Sequence, residues 1–295
     1  MQSLVDTDIL IFTDNPGVRE TRLVLEDAVQ RGLRVATRAP WDLAIPLRQE
    51  LRMGVIYVPS NMLHRGTTFE LVNRFILLEQ LAREAPMVNP LMTLLRYSKE
   101  HLTLMSPTQY PHPRTLVTES IDQAHRFASE ILDQGRDVVI KPICRARGVG
   151  VTLLSAIRKR EDLLQFLSWY VRSQGEGVFY LQEYVPNLGY DVRVFIVDGK
   201  VVGRMKRSNP QDFRYNASIG GIAEPYEESL YDELAIKVAN TMGLLVTGVD
   251  VLPSKDGTPY VLEANCYPGY SYLMTATGLQ IHKKIVDLFS RIVRH

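Results

Sequence analysis

The sequence predicts an α/β protein whose opening segment builds a small, mostly parallel sheet and whose final third is rich in β-hairpins. Three observations carry this. A strand-loop-helix unit starts at Asp8, apolar strand-like runs alternate with helix-period segments as far as Pro86, and two Asp-Gly turns separate strand-like runs after residue 190. With 295 residues, 45% of them hydrophobic, the chain suffices for two or three packed domains.

Asp8 to Thr13 (DILIFT) is a buried strand, and Leu25, Ala28 and Val29 give the next helix an apolar face that stops at Gly32. Gly54 to Val58 (GVIYV) is the second strand. Thr67 and Glu70 form a capping box for a helix bearing Val72, Phe75, Ile76 and Leu81, which ends near Ala85-Pro86. The prolines of SPTQYPHP, residues 106–113, predict a turn or linker. Ser120 and Gln123 cap a helix with Ile121, Ala124, Ala128 and Ile131 on one face and Gly135 past its end. Val138 to Lys141 is a strand ending in a lysine, and a helix follows around Glu161 to Arg172. Residues 178–185 and 191–202 are β-like, the latter folded at Asp198-Gly199. A helix at Ser229 to Met242, a strand VTGVDVL, a second turn at Asp256-Gly257 and a helix with Ile281, Ile285, Leu288 and Ile292 complete the pattern.

Thirty-four basic against 33 acidic side chains give a net charge of +1, without the excess expected of a nucleic-acid binder or polybasic membrane anchor. No apolar stretch approaches the roughly 20 residues of a membrane-spanning helix. The first residues show no signal-peptide pattern, so a cytoplasmic protein is expected. Cys144 and Cys266, far apart, suggest neither a disulfide framework nor a zinc site, and no HExxH pair occurs. Ser271 in GYSYL lacks the second glycine of a nucleophile elbow.

The second hairpin carries the sharpest chemical signal. If Asp256-Gly257 is a two-residue turn, Asp250 and Glu263, equally distant from it, face each other on one side of the sheet, with Asn265 two residues on. Two carboxylates about 4 Å apart repel by on the order of 4 kcal/mol at an effective dielectric near 20. A divalent cation reverses that sign, and two carboxylates with an amide oxygen suit Mg²⁺ shared with phosphates; the same pair also reads as solvated surface carboxylates. In VIKPICRARGVGV, residues 139–151, Lys141 and a loop closing on Gly148 and Gly150 offer an ammonium and backbone N–H groups to phosphate oxygens, though Gly-x-Gly also occurs in ordinary turns. Arg193, Arg204, Lys206, Arg207 and Arg214 add cations nearby in sequence, a pattern equally typical of a solvated face.

Taken in order, Lys99; Lys141 with its glycine loop; LQEYV at 181–185; GYDVR at 189–193; MKR at 205–207; DFRYN at 212–216 with Gly220-Gly221; GVDVL at 248–252; and LEANCYPG at 262–269 resemble the ATP-grasp ligases, most closely the RimK type that joins amino acids such as glutamate to a carboxylate. The resemblance spans the last two-thirds of the chain and implies an ATP-grasp fold with an N-terminal Rossmann-like pre-ATP-grasp domain. The implied domains are 1–95 (N-terminal α/β), 96–180 (central lobe with the phosphate-covering loop) and 181–295 (C-terminal lobe with the metal site).

The resemblance implies that Lys99 and Lys141 contact ATP phosphates under the loop to Gly150, that Gln182, Glu183, Tyr184 and Val185 meet the adenine edge, and that Asp191 lies near the ribose. Arg193, Arg207 and Arg214 would surround the γ-phosphate and an acyl phosphate. Lys206 competes with Arg207 for that role by spacing, and Arg207 is favoured. Asp250, Glu263 and Asn265 match the Mg²⁺ (or Mn²⁺) ligands, for two ions. The implied partners are ATP, a carboxylate substrate and an amine substrate, with no nucleic acid or membrane; a homo-oligomer is consistent with such relatives. The alternatives are an ATP-grasp kinase and a nucleotide-binding protein without turnover. CRARG departs from the glycine-rich loops of relatives, so Arg145 and Arg147 either add phosphate contacts or stiffen closure. Cys266, Tyr267, Tyr270 and Tyr272 read as acceptor-pocket or packing residues, and Arg65 in HRGTT is a candidate for holding a substrate carboxylate.

Overall fold

A computed structural model describes residues 6–44, 52–96, 99–143, 148–157, 160–174 and 177–294. The opening segment runs β1 (Thr7–Phe12), α1 (Arg19–Gln30), β2 (Val35–Arg38), β3 (Met53–Tyr57), α2 (Thr68–Glu84) and β4 (Met87–Val88). Its strands pair in parallel in the order β2-β1-β3-β4. The capping box forms as expected: Thr67 N–H and Oγ1 donate to Glu70 Oε2 at 2.7 and 2.9 Å, and Glu70 N–H returns to Thr67 Oγ1.

Two helices follow, α3 (Leu91–Arg96) and α4 (Lys99–Gln109). Here the structure corrects the sequence reading, because the stretch from Ser106 is helical to Gln109 rather than a linker throughout. Pro107 has no N–H for the Thr103 carbonyl, and Ser106 Oγ donates to that carbonyl instead, at 2.8 Å. Burial of Leu102 and Tyr110 anchors the segment.

The middle of the chain forms β5 (Thr115–Thr118), α5 (Ile121–Asp133), β6 (Val138–Lys141), β7 (Thr152–Leu153), α6 (Arg160–Gln174) and β8 (Phe179–Glu183). The sheet order is β5-β8-β6-β7, antiparallel. Its core of Ala124, Ala128, Ile131, Ile140, Leu167 and Leu181 is its own. The boundary expected after residue 180 falls inside β8, whose ladder keeps Gln182 and Glu183 in this sheet.

The last third contributes β9 (Tyr190–Val197), β10 (Lys200–Ser208), β11 (Ile222–Pro225), α7 (Asp232–Met242), β12 (Val246–Pro253), β13 (Pro259–Asn265), α8 (Ser271–Thr277) and α9 (Ile281–Arg294). The five strands form an antiparallel sheet ordered β11-β10-β9-β12-β13. Asp198 and Gly199 both take positive φ, 53° and 69°, as a two-residue hairpin turn requires. The second turn differs from its expectation. Lys255, Asp256 and Gly257 make a three-residue loop, closed by Ser254 N–H to the Thr258 carbonyl at 3.1 Å, and a bulge at Leu262 then shifts the register by one. The two departures cancel, so Asp250 still faces Glu263.

One face of the five-stranded sheet is apolar over β9 and β12, where Val192, Val194, Ile196, Val249 and Val251 pack with α7 residues and with Leu10, Ile56 and Leu77 of the opening segment, and carries Arg204 and Lys206 on β10. The other face changes character along its strands. Phe195, Val197, Met205 and Val246 lie under α8 and α9, whereas Asp191, Arg193, Arg207, Asp250 and Glu263 occupy the far half of the same face. Among the described residues no helix is long and apolar enough to cross a membrane.

Candidate active site

The charged half-face looks across a cleft at the middle sheet. The cleft encloses about 930 Å³ when space open to solvent is included. On the middle-sheet side it is lined by Lys99, Lys141, Gly148 and the segment Gln182 to Val185. Opposite stand Asp191, Arg207, Arg214, Asp250 and Glu263. Arg193, Asn265 and Gly150 are not part of this lining, though Arg193 bonds to Asp250, which is.

Adjacent antiparallel strands put four charges in register. Arg193 on β9 is bidentate to Asp250 on β12 (Nε to Oδ1 2.6 Å, Nη2 to Oδ2 2.7 Å). Arg207 on β10 is bidentate to Asp191 on β9 (2.7 and 2.6 Å) and reaches Asp250 Oδ2 at 2.9 Å. Gly248 leaves room for this, since a Cβ there would sit 3.1 Å from Arg193 Cδ. Asp191, Arg207 and Asp250 are almost wholly buried, and such charges persist only when paired. Burial opposes ionisation of Asp250, but Arg193 and Arg207 outweigh it and hold its carboxyl below the usual carboxylate range.

A divalent ion would find hard oxygen donors here: Asp250 and Glu263 face each other, and Asn265, whose Nδ2 donates to the Gly248 carbonyl at 3.3 Å, is on the same face. Among the described residues no group of three or more His, Cys, Asp or Glu could hold a metal alone. This donor set therefore fits an ion completed by phosphate oxygens, the usual manner of Mg²⁺.

Lys141, at the end of β6, donates to Gln182 Oε1 at 2.5 Å. Burial, and next the charge of Lys99, push its pKa down to about 8, against a raising effect of Glu263. Lys99 Nζ donates to the Pro142 and Ile143 carbonyls at 2.9 and 3.0 Å. The far end of that loop is tied as well: Arg214, bidentate to Asp212, donates to the Gly148 carbonyl at 2.9 Å, and Tyr170 donates to the Gly150 carbonyl at 3.1 Å. Gly148 takes φ +73°, and a Cβ on it would lie 2.7 Å from Asn216 Oδ1. Cys144, Arg145 and Arg147 lie outside the described residues.

At the end of β8, Glu183 N–H goes to the Arg114 carbonyl and Tyr184 N–H to the Asp137 carbonyl, both at 2.8 Å, and the Glu183 carboxylate pairs with Arg136. Tyr184 meets Phe213 edge-on across the cleft, ring centroids 6.4 Å apart. Arg65 is not in this lining; it pairs with Asp14 at 3.2 Å beyond the carboxyl ends of β3 and β1. Cys266 is buried, and burial pushes its thiol pKa up, so it is an inert packing group rather than a nucleophile. The sequence reading missed His112, Asn187, Phe213 and Tyr215 around the cleft. Phe213 and Tyr215 lie within the DFRYN segment, but no local periodicity marks the other two.

The profile of the RimK-like ATP-grasp domain matches residues 98–289. Over 227 residues the chain is 31% identical to a tetrahydromethanopterin:alpha-L-glutamate ligase of Methanocaldococcus jannaschii, covering 75% of this chain and 76% of that one. It is 36% identical over 163 residues to a probable alpha-L-glutamate ligase of Shewanella amazonensis, covering 54% and 52%. Among solved structures, the ATP-grasp ligase PsnB complexed with a phosphomimetic variant of its minimal precursor, Mg and ADP superposes with a TM-score of 0.74 at 20% identity, over 98% of this chain and 99% of that one. A RimK domain protein from Sphaerobacter thermophilus gives 0.70 at 20% identity, over 94% and 98%.

Proposed function

This chain belongs to the RimK-like ATP-grasp family, and from that premise we propose that it is an ATP-dependent ligase adding α-L-glutamate, or a similar amino acid, to the carboxylate of a small molecule or peptide. The observation that carries the reading is the cleft itself: Lys141 and a loop gripped at both ends face Asp191, Arg207, Asp250 and Glu263 across it. The amino acid is supported by the names of the curated relatives.

In the proposed reaction a substrate carboxylate oxygen attacks the γ-phosphorus and ADP leaves. The amine nitrogen then attacks the acyl carbon, phosphate departs with its bonding electrons, and the amine loses a proton. Lys99 and Lys141 bind the phosphates, and the segment Gln182 to Val185 receives the adenine edge, with Asp191 near the ribose. Arg193, Arg207 and Arg214 neutralise the transferring phosphoryl group, as catalysis of this kind consists largely of positioning and charge stabilisation. Asp250, Glu263 and Asn265 hold two Mg²⁺ or Mn²⁺ ions, which supply charge neutralisation for ATP when bound. Closure of the loop ending at Gly148 and Gly150 excludes water that would hydrolyse the acyl phosphate.

The test is ADP release with Mg-ATP, L-glutamate and a fractionated metabolite and peptide pool, read alongside product mass. Glutamate-dependent ADP release with a product heavier by one glutamyl residue is expected. Phosphorylated product without an amine requirement marks a kinase, and no ADP under any condition marks a binding protein. Glu263→Gln is expected to lower turnover by at least about 100-fold, the order for loss of one charge-stabilising group, while melting like the parent.

A further inference from the structure

His112, held between Pro111 and Pro113, bonds to both sides of the cleft. Its Nδ1 lies 2.8 Å from the Val261 carbonyl, which has no hydrogen to give, so Nδ1 bears the proton and Nε2 is an acceptor. Burial favours this neutral form, pushing the imidazole pKa down to about 4. The Val261 N–H in turn donates to the Pro111 carbonyl at 2.9 Å, which ties the segment twice to β13.

On the other side, Nε2 faces Gln182 Nε2 at 3.2 Å. The second hydrogen of that amide points at Thr115 Oγ1, 2.9 Å away, whose own hydrogen goes to the Pro113 carbonyl at 2.7 Å. The hydroxyls of Thr103 and Tyr180 also approach Nε2, at 3.2 and 3.3 Å; that of Thr103 is directed to the Lys99 carbonyl at 2.9 Å, and Tyr180 can donate to Thr103 at 3.0 Å. With these donors spoken for, the Gln182 amide has one satisfactory orientation, its oxygen toward Lys141 Nζ at 2.5 Å. A flipped amide would set its oxygen against the imidazole lone pair and its N–H groups against an ammonium that can only donate.

We propose that His112 is a positioning residue for nucleotide binding: it fixes the Gln182 amide, which holds the Lys141 ammonium in the cleft, and its bond to Val261 couples that ammonium to the strand carrying Glu263. The inference rests on reading the cleft as the ATP site.

The test is calorimetric binding of ATP to the full chain and to His112 and Gln182 variants, each checked for folding by thermal melting. His112→Asn and His112→Phe both remove the Nε2 acceptor, and each is expected to weaken ATP binding about tenfold, the upper end for one hydrogen bond between neutral groups; if one fails to fold, the other decides. His112→Gln, which can offer an oxygen near the Nε2 position, is expected to restore binding to within about threefold of the parent. In a Gln182→Met background the His112 substitutions are expected to add nothing, because the residue acts through that amide. Parent-like binding by the folded Asn or Phe variant, or an effect that survives in the Gln182→Met background, overturns the inference. A parent chain that does not bind ATP overturns the reading of the cleft instead, so the two failures are distinguishable.

Discussion

Lys141 should take up a proton when ATP binds. Its pKa in the free cleft is lowered from 10.5 to about 8, first by burial and then by Lys99. Phosphate oxygens favour the ammonium, so binding raises that pKa again and draws a proton from the buffer. At pH 8 the free site is about half protonated and at pH 9 about one-tenth, so uptake is about 0.5 and about 0.9 proton per ATP if phosphate restores an ordinary lysine pKa. The sign follows: affinity is highest below about pH 8 and falls as pH rises through it, by about fivefold between pH 8 and pH 9. ATP itself gains or loses little charge in that range. Calorimetry in two buffers of different ionisation enthalpy reads the uptake directly, and Lys141→Met should abolish it if the variant still binds. Equal heats in both buffers at pH 9, or the same uptake in Lys141→Met, would refute the assignment of this lysine to the phosphates.

Two further outcomes test the framework around it. Arg207→Met leaves Asp191 and part of Asp250 without their buried counter-ion, so a loss of about 3–5 kcal/mol is expected in urea denaturation; a change below about 1 kcal/mol would mean the carboxylates find another partner. Gly148→Ala places a Cβ 2.7 Å from Asn216 Oδ1 at φ +73°. It should weaken ATP binding and speed proteolysis of the covering loop, at a cost of about 1–2 kcal/mol locally, while leaving the melting of the rest unchanged.

How much of this was legible in the sequence depended on the range of the interaction. The caps at Thr67 and Ser120 and the turn at Asp198-Gly199 are satisfied within three residues, and they formed where the local pattern put them. The opposition of Asp250 and Glu263 was also legible, but through two errors that cancel, because neither the three-residue loop nor the bulge at Leu262 leaves a local signature. Pro107 masked α4, whose compensation is a serine hydroxyl bond that no periodicity shows. The basic residues Arg193, Arg207 and Arg214 were visible, while their pairing with Asp250, Asp191 and Asp212 was not, since strand register decides the first two pairs. His112 looked like part of a linker because the groups that give it meaning, Gln182 and Val261, lie 70 and 149 residues away.

The face of β1 and β3 that bears Ile9, Ile11, Val55 and Tyr57 is covered by Ile285, Val286 and Phe289 of α9, with the Tyr57 and Phe289 rings 5.0 Å apart. During synthesis this face is made early and sheltered only in part, by Val24 and Ala28 of α1, until α9 follows the middle sheet and its separate core. At about 5–20 residues per second, the wait is on the order of tens of seconds. The ribosome thus releases the parts in an order unlike that of their packing: the inner unit can close first, while the outer one keeps the part of its apolar face that α1 does not cover open until its last helix arrives.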